Sequence, residues 1–209
     1  YFSYAERLKQ PGELVPVIIS FFHEDATINI VHPFNQINGP KGYLEHFLLP
    51  LQDSLQGLYR RDDIVMLGEF EGNKWISSTG YYVGQFTKDW VGIKASGNLS
   101  YLRYGEFHRI DKGRAVESYI FLDIPELMIA CNQWPLDIGP GHSRGYTGLI
   151  QGPASHDGVL KQNCDPKEGK LSYQIVTDML SNLATKDEAW RPYWHKNMMW
   201  YGPGAFGSF

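Results

Sequence analysis

Residues 99–123 read LSYLRYGEFHRIDKGRAVESYIFLD, and this stretch decides the fold. Two runs rich in aromatic and β-branched residues, 99–110 and 114–122, lie on either side of a short turn at 111–113 that ends in glycine. A turn this short joins antiparallel strands, because parallel strands need a crossover of a dozen or more residues. The stretch therefore predicts a β-hairpin.

Two more runs of the same kind precede the hairpin, at residues 63–70 and 75–86. The turn-forming segments 71–73 and 94–98 separate the successive runs. Four consecutive runs joined in this way predict a mainly antiparallel meander.

The amino-terminal part has helical periodicity instead. In residues 13–22, and again in a segment opened by Gly39 and Pro40, apolar residues recur at spacings of three and four. We expect a short extended run at 26–31 between these helices and a kink at Pro50. Helices followed by a strand meander predict an α+β fold.

Composition excludes several classes of protein. Of the 209 residues, 43% are hydrophobic and 20% charged, which is typical of a folded chain. The net charge is −4, and Lys and Arg form no basic stripe, so we expect no nucleic-acid partner. No apolar run approaches the ~20 residues of a membrane span, so we expect no membrane contact. Two cysteines, Cys131 and Cys164, are too few for a disulfide framework and indicate a reduced, cytoplasmic protein.

The chain divides into three predicted segments. Residues 1–131 form the first domain, and 132–170 form a Gly/Pro-rich linker or a long wrapping loop. Residues 171–209 begin a second, truncated repeat, because the aromatic pair and histidine at 193–195 match those at 21–23.

His108 and Asp123 are the leading candidates for chemistry. They lie on neighbouring strands of the predicted hairpin, and Glu106 shares the face of His108. An aspartate desolvated at the end of an apolar run suits a general base, and His108 could donate a hydrogen bond where negative charge develops. Two alternatives stay open: Asp123 precedes Ile124-Pro125-Glu126 and could be a helix N-cap, and His108 could be an ordinary core histidine.

Other candidates concern the wall of a binding site. His32 could line its mouth or lie in a loop, and the aromatic residues could form its wall or pack the core; they are Tyr43, Trp75, Tyr82 and Trp90. His and carboxylate residues lack the spacing of metal ligands, so no metal is expected.

Three stretches, at residues 22–42, 84–97 and 105–128, resemble the SnoaL-like polyketide cyclase family of the NTF2-like superfamily. The third is the most specific and contains Gly105-Glu106-Phe107-His108-Arg109-Ile110 and, later, Asp123. The resemblance implies a cone-shaped barrel, in which a curved sheet wraps around helices and encloses an apolar cavity.

The resemblance also implies a reaction. In ring-closing relatives, an aspartate matching Asp123 removes a proton α to a carbonyl, a histidine matching His108 helps to hold the enolate, and no cofactor is needed. The expected function is intramolecular aldol cyclisation or isomerisation of a small apolar, polyketide-like carbonyl compound. The alternative is a non-catalytic ligand-binding or dimerisation module, because one fold hosts many functions. Abundant aromatic residues on an open sheet also predict a homodimer.

Overall fold

One sheet organises the larger part of the chain. The computed structural model describes residues 14–136, 157–159, 165–183 and 189–197, and the chain divides into two compact units near residue 160. The strands of the first unit are β1 (Phe22–Ile30), β2 (Asn35–Asn38), β3 (Leu55–Phe70), β4 (Asn73–Phe86), β5 (Leu99–Asp111) and β6 (Arg114–Leu122). They pair in the order β2-β1-β6-β5-β4-β3.

All neighbouring strands are antiparallel except β1 and β6, which run parallel. The predicted α+β class and the mainly antiparallel, curved sheet are confirmed. Among the described residues the sheet is open, with β2 and β3 at its edges.

In the described part of the first unit, four α-helices and one π-helical turn accompany the sheet. They are α1 (Leu14–Phe21), α2 (Gly39–Tyr43), the π turn (Leu44–Leu48), α3 (Leu49–Ser54) and α4 (Ile124–Ala130). The π turn lies where a kink was expected: Pro50 has no N–H to donate to the His46 carbonyl, so regular α-helical bonding is interrupted.

The core fills the space between these helices and one face of the sheet, which we call the inner face. Its largest fully buried apolar side chains come from both layers and include Ile18, Phe22, Phe47, Leu48, Tyr82, Phe86 and Leu102. Each buried side chain of this size contributes roughly 1.5–3 kcal/mol to stability. The helices are therefore held on the sheet by apolar packing.

β3 bends where its pairing with β4 is irregular. Its register shifts between Gln56 and Tyr59 and again between Asp62 and Ile64. Opposite the second irregularity, a Cβ on Gly80 would lie 1.9 Å from the Arg61 carbonyl oxygen, so only glycine fits there. Such bulges increase local twist and help to curve a sheet.

Three strands differ clearly from the sequence prediction. β1 begins at Phe22, four residues before the predicted run at 26–31. β3 begins at Leu55 rather than at residue 63, because Gly57, with φ +71°, is accommodated next to the first irregularity instead of ending the strand. The short strand β2 was not predicted, since Asn35–Asn38 contains only one buried apolar residue, Ile37.

The second unit contains α5 (Pro166–Asn182) and a 3₁₀ turn at Arg191–Tyr193. α5 begins inside the segment expected to be a linker, where the Asp165 side chain accepts a hydrogen bond from the Lys167 backbone N–H. Of the predicted second repeat, residues 171–209, the structure describes 171–183 and 189–197, and the remainder lies outside the described residues.

Candidate functional site

A group of polar side chains lies on the inner face, inside the apolar core. We call it the inner cluster; its members are Arg60, Asp62, Ser78, Tyr82, Tyr104, Glu106, His108 and Ser118. Alternation along β5 turns Tyr104, Glu106 and His108 to the same side, and each is at most 1% exposed.

Arg60 and Glu106 form the centre of the inner cluster. The guanidinium donates two parallel hydrogen bonds to the carboxylate, from Nη1 to Oε2 at 3.2 Å and from Nη2 to Oε1 at 2.5 Å. The Ser78 hydroxyl donates to Oε1 at 3.1 Å, and Arg60 Nη1 also donates to the Tyr82 hydroxyl at 3.2 Å. A bidentate, charge-assisted pair of this kind fixes the orientation of both side chains.

Asp62 binds the same guanidinium from the other side. Its Oδ1 accepts hydrogen bonds from Arg60 Nε at 3.2 Å and from the Tyr104 hydroxyl at 2.6 Å. Arg60 also lies over the Tyr104 ring, 4.2 Å from its centroid. Two carboxylates and an aromatic ring thus enclose one cation.

The protonation states follow from these contacts. Burial opposes ionisation of Glu106, but Arg60 and His108 overcome it and hold the Glu106 pKa well below its usual range. Burial also raises the pKa of Tyr82 to about 12 and that of Tyr104 well above its ordinary value, against the opposing charge of Arg60. The cluster therefore combines an ionised carboxylate with neutral phenol groups.

His108 lies at the end of the cluster nearest α1. Its Nδ1 is 2.8 Å from Ser118 Oγ and its Nε2 is 3.2 Å from Glu106 Oε1. The Phe21 ring packs against the imidazole edge-to-face, with centroids 5.0 Å apart, and Phe22 lies 6.0 Å away. α1 therefore covers this end of the cluster.

Asp123 lies elsewhere. It is the N-cap of α4: its Oδ1 accepts a hydrogen bond from the Glu126 backbone N–H at 3.1 Å, and its Oδ2 accepts one from Arg103 Nη2 at 2.5 Å. Arg103 points to the opposite face of β5 from His108, by the two-residue alternation of a strand. The structure does not bring Asp123 and His108 together, and Asp123 has the capping contact that the sequence offered as its alternative.

The other predicted residues are distributed over the unit. Glu106 and Tyr82 belong to the inner cluster, and fully buried Tyr43 packs against Phe22 and hydrogen-bonds Tyr82. Buried Trp90 contacts Phe34, with ring centroids 5.7 Å apart.

Two predicted wall residues lie outside the core. Trp75 is partly buried on the outer face of the sheet, 6.4 Å from the Tyr119 ring, and His32 is exposed.

In the described part of the chain no group of three or more His, Cys, Asp or Glu residues could hold a metal ion. No described helix has the length and apolar character needed to cross a bilayer.

Arg60 and Asp62 were missed by sequence reasoning. The run Arg60-Arg61-Asp62-Asp63 has the composition of a solvated charged turn, but the structure places it within β3. The signal was present in the spacing, because Arg60 pairs with Asp62 and Arg61 with Asp63, each two residues apart on one face of a strand.

The surface carries an open depression of about 520 Å³, away from the inner cluster. Its lining comes from the loop before β2, from β2, from α2 and from the π turn: Pro33, Phe34, Gln36, Ile37, Asn38, Gly42 and His46.

Comparison with known proteins identifies the architecture. No protein-family model and no curated protein sequence matches the chain. Among solved structures, a protein assigned as a SnoaL-like polyketide cyclase from Jannaschia sp. CCS1 is 14% identical, with a TM-score of 0.52 over 65% of this chain and 92% of its own. AclR from Streptomyces galilaeus, assigned as a hydroxylase, is 12% identical, with a TM-score of 0.55 over 67% of this chain and 86% of its own.

TsrD from Streptomyces laurentii is 14% identical, with a TM-score of 0.52 over 63% of this chain and 92% of its own. The matches agree with the family resemblance of the sequence. The first unit of this chain therefore has the SnoaL-like, NTF2-like fold.

Proposed function

We propose that this domain binds a small, mainly apolar carbonyl compound on the inner face of the sheet and catalyses cofactor-independent acid/base chemistry on it. Intramolecular aldol cyclisation and isomerisation are the reactions of this class. The observation that carries the proposal is the inner cluster itself, in which ionised Arg60 and Glu106 are buried beside His108 within an apolar core.

Stability alone gives little reason for such a cluster. Removing two charges from water costs several kcal/mol per ion, and well-packed apolar residues in place of a buried ion pair are often equally stabilising. Buried groups with strongly shifted pKa values are instead concentrated at functional sites. Glu106, Tyr82 and Tyr104 have this property.

The residues have complementary roles in the proposal. The neutral hydroxyl of Tyr82 can donate a hydrogen bond to a carbonyl oxygen as negative charge develops on it. The Tyr104 hydroxyl would first have to leave Asp62, to which it donates. His108 moves the proton. Asp123 remains a predicted base, but its carboxylate would first have to leave Arg103.

Ligand entry requires an opening, because Glu106 and His108 are fully buried. Phe21, at the end of α1, contacts His108 from the helical layer. Displacement of α1 would therefore uncover His108.

Hydrogen–deuterium exchange at the carbon next to a ketone tests the proposal. The bicyclic ketone α-tetralone is incubated with protein in D₂O, and loss of the α-proton signal is followed by NMR. We expect exchange faster than in buffer, and a fall of ~10²-fold or more in the His108→Gln variant. Tyr119→Phe, on the outer face, is the matched control. Exchange that is equal in wild type and His108→Gln would refute the catalytic role.

A second candidate function, a dimerisation module, is favoured by the outer face. Trp75, Phe107, Tyr119 and Phe121 form an outer aromatic patch, in which Phe107 is 45% and Phe121 53% exposed. The ion pair between Arg109 and Glu117 lies beside these rings. A patch with rings at its centre and both charges at its side can pair with a second copy around a two-fold axis.

A cytoplasmic location also belongs to the proposal. Cys131 carries a free thiol in the described part of the chain, and reduced cysteines are typical of that compartment.

A further inference from the structure

Four side chains form a continuous line of contacts across β3, β5 and β6. Arg60 binds Glu106 through two hydrogen bonds, Glu106 Oε1 lies 3.2 Å from His108 Nε2, and His108 Nδ1 lies 2.8 Å from Ser118 Oγ. All four side chains are fully buried. The two ring nitrogens of His108 therefore face groups of different hydrogen-bonding capacity.

An ionised carboxylate can only accept hydrogen bonds, whereas a serine hydroxyl can donate one. Glu106 is held in its ionised form by the bidentate contact with Arg60. The ring nitrogen that faces it, Nε2, must then carry a proton. Nδ1 is left to accept a hydrogen bond from the Ser118 hydroxyl.

We propose that Arg60 and Glu106 are positioning residues for His108, which fix its proton on Nε2 and make Nδ1, beside Ser118, the nitrogen that takes up a further proton. The inference rests on the proposed function, which supplies the reaction in which His108 takes part. His108, rather than Asp123, is then the base of that reaction.

The proton balance of this step is simple. The bond between the α-carbon and hydrogen breaks, the proton passes to Nδ1 directly or through the Ser118 hydroxyl, and the electron pair remains on the enolate. His108 becomes an imidazolium beside the Glu106 carboxylate, and its positive charge balances the negative charge of the enolate. Return of the proton to carbon or oxygen restores the neutral ring.

The backbone explains why the two ring nitrogens of His108 face different groups. In β5 and β6, His108 pairs with Ser118 in register, so the hydroxyl reaches Nδ1 from the neighbouring strand. Glu106 lies two residues earlier on the same strand and face, from which its carboxylate reaches Nε2. The backbone register therefore determines which group meets which nitrogen.

Long-range ¹H–¹⁵N correlation NMR of the ¹⁵N-labelled chain tests the assignment, with His108→Gln used to identify the signals of His108. Near neutral pH we expect a protonated Nε2 and an unprotonated Nδ1. Ser118→Ala should leave the proton on Nε2. Glu106→Gln offers an amide N–H in place of the carboxylate and should shift the proton toward Nδ1.

Three results would overturn the inference: a wild-type ring protonated only on Nδ1, a ring protonated on both nitrogens, or a proton that stays on Nε2 in a folded Glu106→Gln protein. If that variant does not fold, the wild-type and Ser118→Ala spectra decide. Asp123→Asn is the control and should leave the His108 signals unchanged. The expected ring protonation in a protein that exchanges no ketone protons would refute the proposed function while the positioning role stands.

Discussion

The guanidinium of Arg60 and the carboxylate of Glu106 meet on the inner face of the sheet, although β4 separates their strands. The Arg60 side chain passes over β4 at Tyr82 and Ser78, and both hydroxyl groups join the contact. A single long side chain thus connects the edge strand β3 to the centre of the sheet. The contact should couple the packing of three strands.

Removal of one partner of this pair should be strongly destabilising. Glu106→Ala leaves Arg60 buried without its bidentate acceptor, which costs about 3–5 kcal/mol for an ion pair of this kind. Urea unfolding measures the loss. The double variant Arg60→Met/Glu106→Ala should lose less than the sum of the single variants, because each single change already breaks the same interaction. Additive losses would contradict the coupling.

Asp123 should behave as a helix cap that is also ion-paired. Asp123→Asn retains an N-cap side chain and loses only the charge that faces Arg103, whereas Asp123→Ala loses the cap as well. We expect the Ala variant to be less stable than the Asn variant by ~1 kcal/mol in urea unfolding. Equal stabilities would argue against the capping role. A stable Asn variant without ketone exchange would restore Asp123 as the base.

Glu126 should make stability depend on pH. It is 3% exposed, and neither carboxyl oxygen has a hydrogen-bond partner among the described residues. Its Oε2 lies 3.6 Å from Arg103 Nε. Burial first, and then the charge of Asp123, raise the pKa of Glu126 to about 8, with Arg103 opposing them. The folded protein therefore keeps a proton that the unfolded chain loses near pH 4.5.

The direction of the pH dependence of stability follows from this difference in proton binding. Between pH 4.5 and about 8 the folded state binds more protons, so stability falls as the pH rises through this window, by at most about 1.4 kcal/mol per unit. Glu126→Gln should remove this slope and raise the melting temperature at pH 8. Glu117→Gln, which changes a partly exposed pair, is the control. An unchanged slope in Glu126→Gln would disprove the assignment.

The outer aromatic patch should mediate self-association. We expect a dimer by size-exclusion chromatography with light scattering, and a monomer after Phe121→Ser, because the change removes apolar area from the centre of the patch. Phe70→Ser alters an exposed ring at the end of β3 and serves as the control. A wild-type monomer at micromolar concentration would contradict the dimerisation module.

Much of the fold was predictable because it depends on local patterns. The hairpin of β5 and β6 follows from two apolar runs and a glycine turn, and the structure gives β6 the predicted bounds Arg114–Leu122. α1 likewise lies within one residue of the periodic segment 13–22 at each end. The parallel pairing of β1 with β6 was not predictable in this way, because their partner residues are about 90 positions apart.

The site was only partly predictable, because its centre is a long-range contact. His108 and Glu106 could be placed on one face of a strand from their spacing alone. Arg60 could not, since charged runs are usually solvated and its acceptor lies two strands away. For Asp123, local sequence supported both a base and a cap, and the contacts with Glu126 and Arg103 decide how it is held.

The alternation within Arg60-Arg61-Asp62-Asp63 has a consequence for folding. Each face of β3 carries one Arg–Asp pair, so a one-residue slip of the strand would again place an arginine and an aspartate on the inner face. Charge pairing therefore does not distinguish these two registers during folding. Gly80 does, because its missing side chain leaves room for the Arg61 carbonyl at one alignment only. The choice between the two registers of β3 therefore depends on a residue of β4 that has no side chain at this point.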